Sequence, residues 1–350
     1  MKEKPLVSIV APCYNAAEYL AACVNSVMAQ DYQNWECILI NDGSRDETLE
    51  ILIEFAVQNP KLKVFTQENA GLSSTRNRGI ESAAGDLLFF LDSDDVLSTD
   101  ALHILVSAYE NNDIVSGITV NSTFTDHKIT KVSHLLHPKE GDVTFINDDF
   151  EVLIRTMESG LSPVAQNRLY RKEFLDKNNL RFRPGILHED ELWFFETMLV
   201  AQNVKFVNKE TYFYRIDNQD SITQNVSDRN LDSYIKVMEE IIQKYTRNPR
   251  FVTVAAWYAV YIKKIFLDFA IREESKLSSG IFEKLESALK ESYVSLDGKN
   301  LLSFNNSLYY RTLNTLSLQP FPVIKKYFFK NPVNSLRKIK RVLQIRQLQK

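Results

Sequence analysis

Asp92, Asp94 and Asp95 place three carboxylates within four residues, directly after the apolar run Leu87-Leu88-Phe89-Phe90-Leu91. Carboxylates one residue apart are hard oxygen ligands of the kind that Mg²⁺ or Mn²⁺ takes. The plainer alternative is a strand-to-helix turn, with Asp92, Ser93 and Asp94 capping a helix that begins near Thr99. A second acidic group, Glu189-Asp190-Glu191, follows Pro184-Gly185 and His188 and opens a helix running through Met198. Acids in a first helical turn are favoured by the macrodipole whatever else they do, so this group reads either as a helix start or as a proton acceptor. Asp42, in Asn41-Asp42-Gly43-Ser44, is either a ligand-facing carboxylate or a turn-forming Asx residue. Arg76 and Arg78 begin a helix, where a cation gains nothing from the dipole. They suit an anionic partner or a solvated surface.

The elements around these residues alternate. Leu6 to Ala11 is β-branched and apolar and ends at Pro12-Cys13-Tyr14-Asn15, so it reads as a strand followed by a loop. Glu18 to Gln30 has its apolar residues at helical spacing, Trp35 to Ile40 returns to strand character, and Asp46 to Gln58 is a second amphipathic helix. Leu62 to Phe65 is a short third strand, and a further helix runs to Ala84 with Ser73 or Ser74 as its N-cap. The run before Asp92 is then a fourth strand, its five large apolar residues implying burial on both faces. Strands alternating with helices of this length imply βαβ units and a parallel sheet. In such a sheet the carboxyl edge binds ligands, and Asp42 and the Asp92 cluster both stand at it.

Composition narrows the class. With 350 residues, 44% hydrophobic and 25% charged, the chain can bury a sizeable core as one large domain with an appendage or as two domains. The net charge of −3 gives no general pull toward nucleic acid, but Phe321 to Lys350 carries nine Lys or Arg and no acid, leaving −12 for the rest. Cys13, Cys23 and Cys37 are odd in number and lack metal-type spacing, as expected of reduced, buried thiols in a cytosolic protein. The chain shows neither a signal-peptide pattern nor an apolar run of about 18 residues, so any membrane contact is expected to be peripheral.

Four segments in one order resemble a known family: Val7-Ser8-Ile9-Val10-Ala11-Pro12-Cys13-Tyr14-Asn15, Ile40-Asn41-Asp42-Gly43-Ser44-Arg45-Asp46, Asn69 to Gly79, and Leu91-Asp92-Ser93-Asp94-Asp95. Together they look like the nucleotide-binding half of family 2 glycosyltransferases, closely from about residue 5 to 118 and more loosely to about Thr223. The resemblance implies the α/β GT-A fold, a Rossmann-like and mostly parallel sheet flanked by helices, with a nucleoside-diphosphate-sugar donor, Mn²⁺ or Mg²⁺, and inversion at the anomeric carbon. It further implies that Pro12, Tyr14 and Asp42 hold the base, Arg76 contacts the nucleotide, Asp92 the ribose and Asp94 the metal. Glu189-Asp190 with Trp193 and Phe194 resembles the family's Glu-Asp-x-x-aromatic motif, whose Asp is the general base. That role falls to Asp190, with His188 and Glu189 tuning or orienting it. Asn167-Arg168-Leu169-Tyr170-Arg171 and Tyr212 to Ile216 resemble features of the capsule and exopolysaccharide branches. In the second, Arg215 either steadies the diphosphate or forms a surface salt bridge.

The expected organisation is a catalytic domain over 1–225, its nucleotide-binding half 1–118 and acceptor half 119–225, followed by a helical domain over 226–350. Helices are expected at Leu231 to Tyr245, Phe251 to Arg272 and Ile281 to Tyr293, the second buried because it carries Lys263, Lys264 and Asp268. His127, His134 and His137 lack a completing ligand, so an exposed loop or hairpin is favoured over a metal site. The basic end, 321–350, reads as a membrane-surface segment or a solvated helix, nucleic acid being a poor third. The expectation is an enzyme on the cytoplasmic side, peripheral on the inner face of the membrane, moving sugar from a UDP-sugar to a glycan or lipid-linked acceptor in surface-polysaccharide synthesis. The rivals are a sugar nucleotidyltransferase, disfavoured because Pro12 to Asn15 is no Gly-rich phosphate loop, and a non-catalytic nucleotide-sugar-binding subunit.

Overall fold

The computed structural model describes residues 4–125, 128–138, 141–144, 150–158, 161–218, 225–292 and 313–330. The chain divides into two compact units, Met1–Ser221 and Ile222–Lys350.

In the first unit, β1 (Val7–Cys13), α1 (Ala17–Met28), β2 (Trp35–Asn41), α2 (Thr48–Gln58), β3 (Leu62–Thr66), α3 (Leu72–Ser82) and β4 (Leu87–Phe90) alternate along the chain. The helix expected to be capped by Ser73 or Ser74 starts two or three residues earlier. Gly71 at φ 83 is its N-cap, a left-handed conformation that favours glycine, and Ser73 lies inside the helix. There follow β5 (Val96–Leu97), α4 (Ala101–Ser107), β6 (Ile114–Thr125), β7 (Lys128–His134), β8 (Gly141–Thr144), α5 (Phe150–Glu158), β9 (Arg168–Arg171), α6 (Lys172–Lys177), α7 (Glu189–Val200) and β10 (Asn203–Arg215).

One sheet gathers these strands in the order β3-β2-β1-β4-β9-β6-β10-β5, with β7 beside β6 and β8 beside β10. Its first half is parallel, β3, β2, β1 and β4 all running one way. The second half is mixed: β9 is antiparallel to both β4 and β6, while β10 is parallel to β6. The sheet is therefore parallel where crossover helices α1 to α3 connect its strands and mixed beyond β4. β6 and β7 form the hairpin expected between Val120 and Val143.

Chain order reverses between β1, which continues outward to β2 and β3, and its other neighbour β4. Pro12 sits at this switch, inside a central strand, where a residue with no N–H is normally excluded. The register explains it. Val10 is the last β1 residue paired with β4, its carbonyl accepting from Leu91 N, and Cys13 turns its carbonyl the other way, to Asp42 N. Pro12 therefore faces the β4 side beyond the end of that ladder, and the two strands part there. α3 packs tightly across β1: a Cβ on Gly79 would lie 2.1 Å from Val10 Cγ1. Only glycine permits that approach, which brings the preceding turn, with Arg76, beneath the carboxyl edge.

In the second unit the described helices are α8 (Asp228–Tyr245), α9 (Val252–Arg272), α10 (Ser279–Glu291) and α11 (Phe321–Lys330). α9 is buried along most of its length, Lys263 and Lys264 included. No helix among the described residues is long and apolar enough to cross a membrane. Most of the basic end, 331–350, lies outside the described residues, as do His127 and the backbone from 219 to 224.

Candidate functional site

The loops that leave β1 and β2 are tied to each other. Asn15, at φ 48, accepts at Oδ1 from Arg45 N and donates through its own N–H to Ser44 Oγ. Asp46 Oδ2 accepts from Ala17 N, and Thr48 Oγ1 from Ala16 N. This lashing leaves the Tyr14 ring 48% exposed at the carboxyl edge, above the buried Pro12. Asp42 is almost fully buried. Its Oδ1 accepts from Gln67 Nε2 and Ala70 N and its Oδ2 from Gly71 N, so it folds the 67–71 segment into α3. The turn-organising alternative for Asp42 is thus realised, though at a distance along the chain and not within its own Asx turn.

The three acids after β4 do not cap α4. Strand β5 intervenes, and the N-cap is Asp100. They take three different environments. Asp95 is fully buried, its Oδ2 accepting from the Tyr212 hydroxyl at 2.7 Å and its Oδ1 from Arg215 N at 2.7 Å. The same Tyr212 oxygen accepts from Asp92 N. Asp94 Oδ2 accepts from Asn218 Nδ2 at 2.8 Å, and its carbonyl from Arg215 Nε at 2.9 Å. Burial first, and the Asp92 charge second, hold the Asp94 carboxyl above the usual carboxylate range. Burial first and the Asp94 charge second raise Asp95 further.

Arg215 makes an ion pair, Nη1 lying 3.6 Å from Asp217 Oδ1, but departs from the surface position expected of it. It is neither at the surface nor extended into open space: its guanidinium lies 3.9 Å from the Phe124 ring centre and 4.8 Å from that of Tyr19, with Nε on the Asp94 carbonyl. It stands behind the acidic turn and holds its main chain.

Arg76 is the second departure. It is 1% exposed, and its guanidinium is shared among three carboxylates. Nη2 donates to Asp92 Oδ1 at 2.8 Å, and Nη1 to Glu189 Oε1 at 2.7 Å and Asp190 Oδ1 at 2.9 Å. The nucleotide contact expected of Arg76 does not match this placement, because those donors are turned onto acids inside the protein. Arg78 turns to Thr66 O and Gln67 Oε1.

Glu189 and Asp190 open α7, and His188 before them has the left-handed φ of 57. Burial holds the His188 imidazole neutral, its pKa lowered to about 4. Burial also raises Glu189 and Asp190, against the opposing pull of Arg76. The buried aromatics below explain why so little water compensates them. Phe182 stacks on Trp193 at 4.0 Å, Phe90 meets both edge-on, and Arg76 lies 5.1 Å from the Phe182 ring centre. The Trp193 indole N–H is satisfied by the Tyr170 hydroxyl.

Two acidic groups far apart in the chain thus meet across one guanidinium, at the switch point of a sheet whose loops expose an aromatic ring. The Glycosyl transferase family 2 model matches residues 8–178. EpsH of Bacillus subtilis is 31% identical over 242 residues, 68% of each chain. The chain belongs to glycosyltransferase family 2. YibD of Escherichia coli, which like EpsH carries a glycosyltransferase name, is 30% identical over 69% of this chain and 71% of its own. Of solved structures, S. aureus TarS 1-349 in complex with UDP-GlcNAc aligns with a TM-score of 0.62 at 19% identity, covering 92% of this chain and 91% of its own. That likeness shows the GT-A fold, and with it the mixed α/β sheet and the helical C-terminal region.

Sequence reasoning missed Tyr212, Asn218 and the scaffolding role of Asp95. Asp95 was part of the motif, but nothing in its spacing separates a buried structural acid from an exposed ligand. Tyr212 and Asn218 are brought to the acids by β10, which pairs with β5 just past them. Of the two described histidines between Val120 and Val143, His134 bonds Glu210 and His137 bonds Ser116 O. No group of three or more His, Cys, Asp or Glu among the described residues forms a metal cluster. All three cysteines are free and buried, as expected.

Proposed function

We propose that this glycosyltransferase is an inverting, metal-dependent enzyme, taking sugar from a nucleoside diphosphate, UDP first among the candidates, to a hydroxyl of a glycan or lipid-linked acceptor in surface-polysaccharide synthesis. The convergence of Asp92 and Asp190 on Arg76 carries this reading, because it puts a proton acceptor beside the donor end of the sheet. Tyr14 offers an exposed ring to the base, with the buried Pro12 shaping the strand end behind it, Asp42 shapes the neighbouring loop, and Asp92 faces the ribose. The Asp190 carboxylate takes the proton of the acceptor hydroxyl, and that oxygen attacks the anomeric carbon from the face opposite the diphosphate. The carbon–oxygen bond to the diphosphate breaks, the diphosphate leaves with the electron pair, and no bond to the enzyme forms.

The residues fit a divalent cation. Burial first and the neighbouring Asp92 charge second raise Asp94, and a cation beside it would offset both. A single carboxylate such as Asp94 suits an ion completed by water and substrate phosphates. Asp94 would hold it, and the ion would stabilise charge on the departing diphosphate. A structure of similar fold, the Pyrobaculum calidifontis mannosyltransferase PcManGT, was solved in complex with GDP-Man and Mn²⁺ (TM-score 0.50, 16% identity, 93% of this chain and 88% of that one). We assign catalysis to 1–225, and to the basic end 321–350 of the helical domain a peripheral contact with the inner face of the cell membrane.

A screen of UDP- and GDP-sugars by thermal shift with Mn²⁺, followed by assay of diphosphate release, tests this. Asp190→Asn should abolish transfer while nucleotide affinity stays within a few fold. Normal transfer by that variant removes Asp190 as base, and absence of diphosphate release with every donor that binds favours the non-catalytic binding subunit.

A further inference from the structure

The guanidinium of Arg76 is buried, carries a single positive charge and serves three acids on two segments: Asp92 after β4, and Glu189 and Asp190 on α7. Fully ionised, the group has a net charge of −2 in a region floored by aromatic rings. Other groups act on Asp190 only weakly or in the opposite sense. Arg168 on β9 helps to hold it ionised, and the main chain at Ala165 donates to it, whereas Asp92 across the site repels the charge. Tyr170 on β9 is neutral, its hydroxyl pushed up by burial, and His188 is neutral for the same reason. Arg76 is therefore the dominant favourable charge on the Asp190 carboxylate and the group that fixes its direction.

We propose that Arg76 is a positioning residue of the transfer reaction: through Nη1 it sets the direction and charge of the Asp190 carboxylate, while through Nη2 it holds Asp92, so that proton acceptor and donor end are aligned by one group. The proposal rests on Asp190 being the base. Without the guanidinium, the Asp190 carboxylate loses its direct ion-pair partner and the charge that opposes the effect of its burial, and a protonated Asp190 cannot accept the acceptor's proton. Arg76 needs no contact with substrate for this, and its burial leaves it little opportunity for one.

The test is a titration of the Asp190 carboxyl by NMR in the full chain labelled with ¹³C at aspartate carboxyls, the signal identified by its loss in Asp190→Asn. In Arg76→Gln the midpoint should rise by about 1–3 pH units, the size typical of losing an opposite charge at this range. Arg76→Lys, which keeps the charge but not the fork, should recover part of that rise. Glu189→Gln removes a like charge competing for the same Nη1 and should move the midpoint down. It carries the test if Arg76→Gln does not fold. In turnover, Arg76→Gln should lower kcat by about 10²–10⁴-fold, the range for a general base, and move the acid limb of the pH profile upward, with the loss in kcat exceeding any rise in donor KM. An unmoved Asp190 midpoint in Arg76→Gln or in Glu189→Gln overturns the proposal, as does a loss confined to donor KM. Normal transfer by Asp190→Asn defeats the base assignment instead, whatever the titration shows.

Discussion

The Tyr212 hydroxyl donates to Asp95 Oδ2 at 2.7 Å and accepts from Asp92 N, so that one phenol oxygen on β10 pins both ends of the acidic turn. Tyr212 is fully buried and its hydroxyl is strongly discouraged from ionising by that burial and by the Asp95 charge. The neutral phenol thus joins the charged Arg215 and Arg76 in holding the turn. Asp95 serves as the turn's anchor, while Asp92 binds Arg76 and Asp94 binds Asn218.

Tyr212→Phe should destabilise the protein by about 1–3 kcal/mol, because it leaves a buried Asp95 oxygen and the Asp92 N–H without their partner. Chemical denaturation measures this. Diphosphate release should fall alongside, since the turn loses its anchor, and a variant as stable as wild type would show the bond to be dispensable.

Asp94→Ala should remove metal-dependent donor binding while leaving the fold intact, because its carboxylate has no part in the Arg76 cluster. Calorimetric titration of UDP with and without Mn²⁺ checks it. An unchanged Mn²⁺ enhancement places the metal elsewhere.

Gly79→Ala should cost about 1–3 kcal/mol by overpacking, since the added methyl would meet Val10 Cγ1 at 2.1 Å. The thermal midpoint should fall, and Val10→Ala in the same chain should restore part of it by making room. Because α3 carries Arg76, the single variant should also lose activity.

Lys263 on α9 is buried, and burial lowers its pKa from 10.5 to about 7, although its ammonium donates to Ser292 O and to Asn314 Oδ1. Between these values the unfolded chain holds a proton that the folded chain has released. Lys263 therefore destabilises the fold most below about pH 7, and that penalty shrinks as pH rises toward 10.5. Lys263→Met should thus gain more, or lose less, relative to wild type at pH 6.5 than at pH 9. Denaturation at the two pH values reads the difference, and an equal difference at both would show that the folded ammonium stays charged.

The parallel half of the sheet was legible because each strand is a short apolar run closed by Pro, Asn, Asp or Gly, and each helix shows its own period. The mixed half was not, because β6, β9 and β10 owe their order to pairing between distant segments, which local pattern does not encode. Buried position also separated like from like. Arg76 and Arg78 stand two residues apart on one helix, yet Arg76 turns under the sheet edge into three acids while Arg78 stays with Thr66 and Gln67.

The sequence by itself determined the family, the strand ends at which acids gather and the identity of Asp92, Asp94, Glu189 and Asp190 as the residues to watch. Those follow from local composition and motif order, which the chain carries in itself. Tertiary structure alone decided what each charge faces. Asp95 became an anchor, Arg215 a brace behind Asp94, and Arg76 the hub between Asp92 and Asp190. A charge takes its role from the dielectric and the counter-charges around it, and here those come from segments that only the folded sheet brings within hydrogen-bond reach.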